Sequence, residues 1–152
     1  MRVENRQARF DYEILEKVEA GVKLTGAEVK SAKAGKMSLS GSRCVYLVDD
    51  DGVEDLWVVG MQINPYEYAS THEYEPARSR KLLLSKKELV AFKSKAAAKG
   101  LTLVPLSCYN KHGLIKIEIG LVRGKKRFEK RDAIKKREEE RGLAARLKQI
   151  QK

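Results

Sequence analysis

Two stretches of this chain set basic and polar residues beside aromatic or aliphatic ones. That combination grips a nucleic-acid strand through its phosphates and bases. One is Asn5-Arg6-Gln7-Ala8-Arg9-Phe10, and the other is Arg78-Ser79-Arg80-Lys81 ahead of Leu82-Leu83-Leu84. In an extended run Leu82 and Leu84 point one way and Leu83 the other, so the three do not easily share one core face. A third stretch, residues 123–152, holds thirteen Lys/Arg and five Asp/Glu, a net of +8. The preceding 122 residues hold 19 basic and 16 acidic residues, a net of only +3, so most of the positive charge sits in the tail.

Other chemistry lacks its residues. Gly120 and Gly124-Lys125 have three residues between the glycines where a phosphate loop needs four, and Lys126 stands where Ser or Thr would hold Mg²⁺. Cys44, Cys108, His72 and His112 show neither C-x-x-C nor H-x₃-H spacing, so neither zinc nor another cofactor is expected. No local pattern points to Ser-His-Asp catalysis. Asp49-Asp50-Asp51 is the one compact carboxylate run that an RNA-cleaving enzyme could use, but with Gly52 behind it the run reads as a hairpin turn. The expected protein is not an enzyme.

The elements that must position these residues follow from local pattern. Phe10, Tyr12, Ile14, Val18 and Ala20 share one parity, which predicts a strand over residues 8–20 with Glu19 on its polar face. Thr25 with Glu28, and Ser85 with Glu88, are capping boxes that open helices ending near Gly35 and Gly100. Residues 43–49 and 54–63 form a hairpin around Asp50-Asp51-Gly52, and residues 68–75 make another strand. Residues 101–109 and 114–122 pair around Asn110-Lys111-His112-Gly113, with Ile115, Ile117, Ile119 and Leu121 facing one way and Lys116 the other. The fold class is mainly β: an OB-type antiparallel barrel of about six strands, residues 1–122, followed by a basic tail, residues 123–152. The large apolar residues of the tail are few, and it is rich in Lys, Arg, Glu and Ala. It is expected to be disordered alone and helical on a partner.

Composition agrees with a polyanion partner. Charged residues make up 35% of the chain, above the usual ~25% of a globular domain, and the net charge is +11. No apolar run is long enough for a membrane helix, and two distant cysteines make no disulfide framework, so a cytoplasmic setting is expected. Charge alone fits both a nucleic-acid binder and a barrel with a solvated charged surface.

A resemblance narrows this. Asn5-Arg6…Ala8-Arg9…Tyr12, Glu19-Ala20-Gly21 and Leu24-Thr25-Gly26-x-Glu28-Val29-Lys30-Ser31 resemble the opening of the small protein B family, the SsrA-binding proteins of bacteria. The likeness continues through Arg80-Lys81-Leu82-Leu83-Leu84, Gly100…Val104-Pro105-Leu106 and Gly124-Lys125-Lys126-x-x-Glu129-Lys130-Arg131. It implies a non-catalytic, monomeric OB-type protein that binds the tRNA-like domain of transfer-messenger RNA. With elongation factor Tu, that RNA is delivered to ribosomes stalled without a stop codon, and the nascent peptide is tagged. The tail would fold as a helix in the empty mRNA channel of the small subunit, near the decoding centre.

The resemblance also implies site residues. Asn5, Arg6, Glu19, Arg80, Lys81, Leu83 and Lys116 would touch RNA, with Glu19 accepting from an unpaired guanine and Leu83 packing on an unstacked base. Gly124, Lys125, Lys126, Phe128, Glu129, Lys130 and Arg131 would serve at the decoding centre. Phe128 stands where the family often has His or Tyr, which keeps stacking and loses a hydrogen bond. Glu129 replaces the usual Asp. A general RNA-binding OB protein is the alternative from another class of binder.

Overall fold

The computed structural model describes residues 1–69, 73–125 and 127–150, except for the side chains of residues 127–130, 133 and 147–150. His72 and Lys126 lie outside the described residues, as do the side chains of Phe128, Glu129 and Lys130. In chain order the elements are β1 (Arg2–Glu4), α1 (Arg6–Asp11), β2 (Tyr12–Val22), α2 (Gly26–Lys33), β3 (Met37–Ser38), β4 (Arg43–Val48) and β5 (Glu54–Val59). Then follow β6 (Gln62–Ile63), β7 (Arg80–Leu83), α3 (Lys86–Lys99), β8 (Thr102–Lys111), β9 (Leu114–Gly124) and α4 (Arg127–Ile150).

The strands pair antiparallel in the order β1-β8-β4-β5-β7-β2-β9, and β8 also pairs with β9. Six strands therefore close a ring, with β1 added on β8. Inside lie Ala20, Leu56, Val58, Leu82, Ile117 and Ile119, all nearly inaccessible to solvent. Ala32 of α2 and Phe92 of α3 complete this core. Both capping boxes form as read: Thr25 and Ser85 each accept from the backbone three residues on, and Glu28 and Glu88 bond back. Gly100 ends α3 at φ +61°, a conformation that suits a residue without a Cβ. The 43–48/54–59 and 102–111/114–124 hairpins form as expected, the second with a shift in register between Pro105 and Ser107, but the strand expected to run on to residue 63 stops at Val59, and Gln62–Ile63 pair with β3 instead.

Two further expectations need correction. The first strand does not begin at residue 8: residues 6–11 are helix α1, and β2 starts at Tyr12. Ala8 packs with Val104, Leu106 and Val122 on the outer side of β8 and β9, a second small core that only a helix laid over the sheet can fill. Residues 68–75 give no strand among those described, and β7 closes the ring instead. The tail is helix α4, in keeping with its Lys, Arg, Glu and Ala content. In addition, β9 runs two residues past the expected barrel end at 122, where Gly124 pairs with Tyr12.

Candidate nucleic-acid interface

One continuous row of side chains crosses five strands. Leu83 of β7 stands opposite Gly21 of β2, Gly21 opposite Lys116 of β9, Lys116 opposite Tyr109 of β8, and Tyr109 opposite Arg2 of β1. Directly opposed residues share a face, so the row is aligned on the outside of the ring. At the usual ~4.8 Å between strands it spans roughly 19 Å. Leu83 is 52% exposed, large for a leucine in a strand. Gly21 leaves a notch in the middle, because a Cβ there would come within 3.3 Å of the Leu83 Cβ. The notch opens into a cleft of about 250 Å³ that Leu24, Leu83, Leu114 and Lys116 also line.

Glu19 sits two residues before Gly21 on the same face. It accepts the Tyr109 hydroxyl, and Lys111 Nζ donates to both its carboxylate oxygens at 3.3 and 3.4 Å. The Tyr109 hydrogen bond holds the Glu19 carboxyl below its usual range, with Lys111 and Lys116 adding to the effect. Burial, and then Glu19, push the Tyr109 phenol up. The Arg2 guanidinium lies 5.1 Å from the centre of the Tyr109 ring. Glu19 is thus an ionised acceptor held in place, beside an aliphatic wedge, a lysine and an aromatic face carrying a cation. Such a face can bond a base edge, stack on a base and pair with phosphate along one line.

The row brings together Glu19, Leu83 and Lys116 of the expected RNA contacts. Lys81 shares the outward parity of Leu83 on β7, and its Nζ pairs with Asp55 at 3.1 Å. Arg6 is exposed and belongs to α1, not to a strand of this row.

Two expected contacts are corrected. Asn5 is 2% exposed and caps α1: its Oδ1 accepts from the Ala8 N–H at 3.1 Å, and its Nδ2 donates to the Pro105 carbonyl at 2.8 Å. Its own N–H donates to the Leu106 carbonyl at 2.8 Å, so the cap is tied to β8 at the bulge there. Asn5→Ala should cost about 1–3 kcal/mol of stability in a urea titration, through the lost cap and an unpaired carbonyl. Arg80 is wholly buried and cannot reach an RNA. Its Nε donates to Glu28 at 2.6 Å, and its Nη atoms donate to the carbonyls of Met61 and Pro76 at 2.8 and 2.9 Å. Arg78 and Tyr74 also donate to Glu28. This network, not a strand, pins residues 73–79 over α2.

A model of the SmpB protein family matches residues 2–149. The SsrA-binding protein of Chlorobaculum tepidum is 50% identical over 148 residues, covering 97% of this chain and 91% of that protein. The SsrA-binding protein of Magnetococcus marinus is 46% identical over 135 residues, 89% of this chain and 87% of that protein. The chain belongs to the SmpB family. A solved SmpB chain, described as "tmRNA-SmpB: a journey to the center of the bacterial ribosome", superposes with a TM-score of 0.65 at 45% identity. It covers 88% of this chain and 94% of that one.

In this chain the junction of ring and tail is fixed by bonds from Lys125 to backbone carbonyls of α1. The Lys125 N–H donates to the Asp11 carbonyl, and Lys125 Nζ donates to the Arg9 carbonyl at 3.3 Å. Gly124 is exposed at the end of β9, and Arg131 is exposed on α4. The acidic run 49–51 serves the β4–β5 turn: Asp49 Oδ1 accepts from the backbone of both Asp51 and Val53 at 2.9 Å. Among the described residues no three His, Cys, Asp or Glu side chains are grouped to hold a metal. No helix among them is long and apolar enough to cross a membrane. The row residues missed by sequence reasoning are Arg2 and Tyr109, with Lys111 and Leu114 beside them. Arg2 meets Tyr109 only through the long-range β1–β8 pairing, which leaves no local pattern, whereas Tyr109 faces Lys116 across the local β8–β9 hairpin.

Proposed function

We propose that this protein is a non-catalytic adaptor of ribosome rescue: it binds the tRNA-like domain of transfer-messenger RNA and brings that RNA to stalled ribosomes. The observation that carries the reading is the row Leu83–Gly21–Lys116–Tyr109–Arg2 with Glu19 beside it. A folded RNA with unstacked loop bases offers each of these groups a partner. The relatives named SsrA-binding protein, and the solved SmpB chain described with tmRNA and the ribosome, support the same RNA and the same assembly.

In this reading the ring and the tail divide the work. The ring recognises the RNA. The tail, with Gly124 and Lys125 at its root and Arg131 on α4, enters the small subunit's empty mRNA channel near the decoding centre and reports that mRNA is missing. Elongation factor Tu takes part through the charged RNA. The protein works as a cytoplasmic monomer.

Leu83→Asp should weaken binding of the tRNA-like domain about 10- to 100-fold, as loss of one base-packing contact worth ~1–3 kcal/mol implies. Glu19→Ala should act in the same direction while leaving the fold intact. Lys116→Ala should lower the slope of log affinity against log salt by ~0.7–0.9, the share of one phosphate contact. Filter binding or fluorescence anisotropy reads all three. Unchanged affinity in Leu83→Asp and Glu19→Ala, with native circular dichroism, would remove the row as the recognition surface.

A further inference from the structure

Strand β4 is joined to β8 at one point only. It pairs with β5 over its whole length, but with β8 through Cys44 and Leu103 alone. The hairpin bonds decide which groups are left over. The Asp49 N–H donates to the Val53 carbonyl, and such bonds recur at every second residue, so the N–H and C=O of Arg43, Val45 and Leu47 face β5. Those of Cys44, Tyr46 and Val48 face the other way. The register that sets Cys44 opposite Leu103 would bring Leu101 opposite Tyr46, but the Leu101 N–H donates to the Ala96 carbonyl and closes the end of α3. The ladder stops there, and no described strand pairs with Tyr46 or Val48 on that side.

The surface around this open edge is apolar. Val48 is 62% exposed, Val53 51% and Val90 59%. Val48 stands opposite Glu54, the neighbour of Val53. Helix α3 is held beside them: the Tyr46 hydroxyl donates to the Leu89 carbonyl at 2.8 Å, and Lys93 pairs with Glu54. Val90 follows Leu89 on that helix. Single exposed aliphatics need no explanation, but three beside an unpaired strand edge mark an interaction surface. Helix α3 carries five lysines and one glutamate. Of these lysines, Lys86, Lys87 and Lys99 have no ion pair among the described residues. None of these residues belongs to the recognition row.

We propose that this edge is a docking site for an extended peptide segment of a partner protein, a short run of aliphatic residues flanked by carboxylates. A strand laid along β4 takes up the open main-chain groups of Tyr46 and Val48, and those bonds set its register. Its aliphatic side chains cover Val48 and Val90, and its acidic flanks suit the lysine excess of α3. Phosphate groups offer acceptors only, so a nucleic-acid backbone would leave the two carbonyls unanswered and the valines bare. A second copy of the chain would bring the same lysines and a net charge of +11, which repel. The site adds a protein partner to the adaptor and stands whether or not the recognition row binds RNA.

The test is amide hydrogen exchange, read by NMR on the full-length chain, with a blocked peptide of three valines flanked by two glutamates on each side. At saturation the peptide should slow exchange of the Tyr46 and Val48 amides at least about tenfold, since pairing an open edge adds directly to its protection. The same peptide N-methylated at its valines, which cannot donate, should give no slowing. Val48→Pro removes an edge N–H that takes no ladder bond in the chain, a place where a strand tolerates proline, and should weaken the peptide at least about tenfold. Val90→Glu leaves the edge intact, and should weaken it in the same direction by removing an aliphatic contact and adding a like charge. Slowing that survives both variants would overturn the proposal, as would no slowing at all. Equal slowing by a lysine-flanked peptide would overturn the acidic occupant, and equal slowing by tetrauridylate would make the edge a nucleic-acid site. Slowing that grows with protein concentration, without peptide, would assign the edge to a second copy. Affinity for the tRNA-like domain tests the adaptor reading separately, and Val48→Pro should leave it within about twofold, since Val48 lies off the recognition row. A large loss of that affinity in the folded variant would place the edge in the RNA interface and overturn the peptide site.

Discussion

A chain ending at Arg131 should bind the tRNA-like domain of transfer-messenger RNA almost as well as the full chain, yet add no tag on stalled ribosomes. The recognition row lies on β7, β2, β9, β8 and β1, all of which end before residue 125. The deletion removes seven Lys/Arg and four Asp/Glu, a net of +3 out of +11. Loss of that charge should lower RNA affinity by no more than about tenfold at physiological salt, and should flatten its salt dependence. With the tail as the proposed sensor of the mRNA channel, tagging should fall to background in a reconstituted translation reaction with truncated mRNA. Full tagging by the shortened chain would exclude the tail as the sensor.

The largest effect on stability should come from Glu28. Its side chain is about 1% exposed and faces the wholly buried Arg80, with Arg78 closing the other side. Glu28→Gln leaves the Arg80 guanidinium buried without its counter-charge, at a cost of about 3–5 kcal/mol. A domain stable by ~5–15 kcal/mol keeps little margin after that. Arg78→Ala, at a partly exposed partner, should cost only about 1 kcal/mol and gives a readable variant if Glu28→Gln does not fold.

The same network sets an acid limit. Burial alone would raise the Glu28 carboxyl, but the hydrogen bonds from Arg78, the Thr25 backbone and Arg80 outweigh it and bring the group down from 4.5 to about 2. A carboxyl depressed in the folded state stabilises above its unfolded value and loses that contribution as pH falls toward its folded one. Stability should therefore drop by about 3 kcal/mol between pH 4.5 and 2 on this account alone. Urea titrations at several pH values read the slope. Arg78→Ala should flatten it, and an unchanged slope would remove Glu28 as its source.

Features that depend on four to ten neighbouring residues were legible in the sequence. Both capping boxes, the turn at Asp49–Gly52 and the inward file Ile115, Ile117, Ile119 and Leu121 are local, and all form. Helix α1 was hidden because Phe10 happens to share parity with Tyr12 and Ile14, so the strand pattern runs on into the helix. The decisive bonds, from Asn5 to Pro105 and Leu106, join residues about a hundred positions apart.

Arg80 shows a different failure. The alternation that sends Leu83 outward sends Arg80 inward with Leu82, and that signal was present. What overrode it was the resemblance, which implied an RNA contact at Arg80, and a buried arginine needs a partner that the local sequence does not show. Here Glu28 supplies one from 52 residues away. Arg2 carries no local mark, because only the β1–β8 register sets it opposite Tyr109, while Tyr109 follows from the β8–β9 hairpin that faces it to Lys116.

The central claim is that the ring recognises the tRNA-like domain through a specific face. Its most direct test is the affinity of the chain for the acceptor and T-arm fragment of transfer-messenger RNA, for an elongator tRNA and for an unrelated hairpin, each across a salt series. The account predicts clear preference for the first at every salt concentration, retained when residues 132–152 are deleted and lost in Leu83→Asp. Equal binding of all three, falling steeply with salt and with loss of the tail, would contradict it and leave a polybasic protein without a recognition surface.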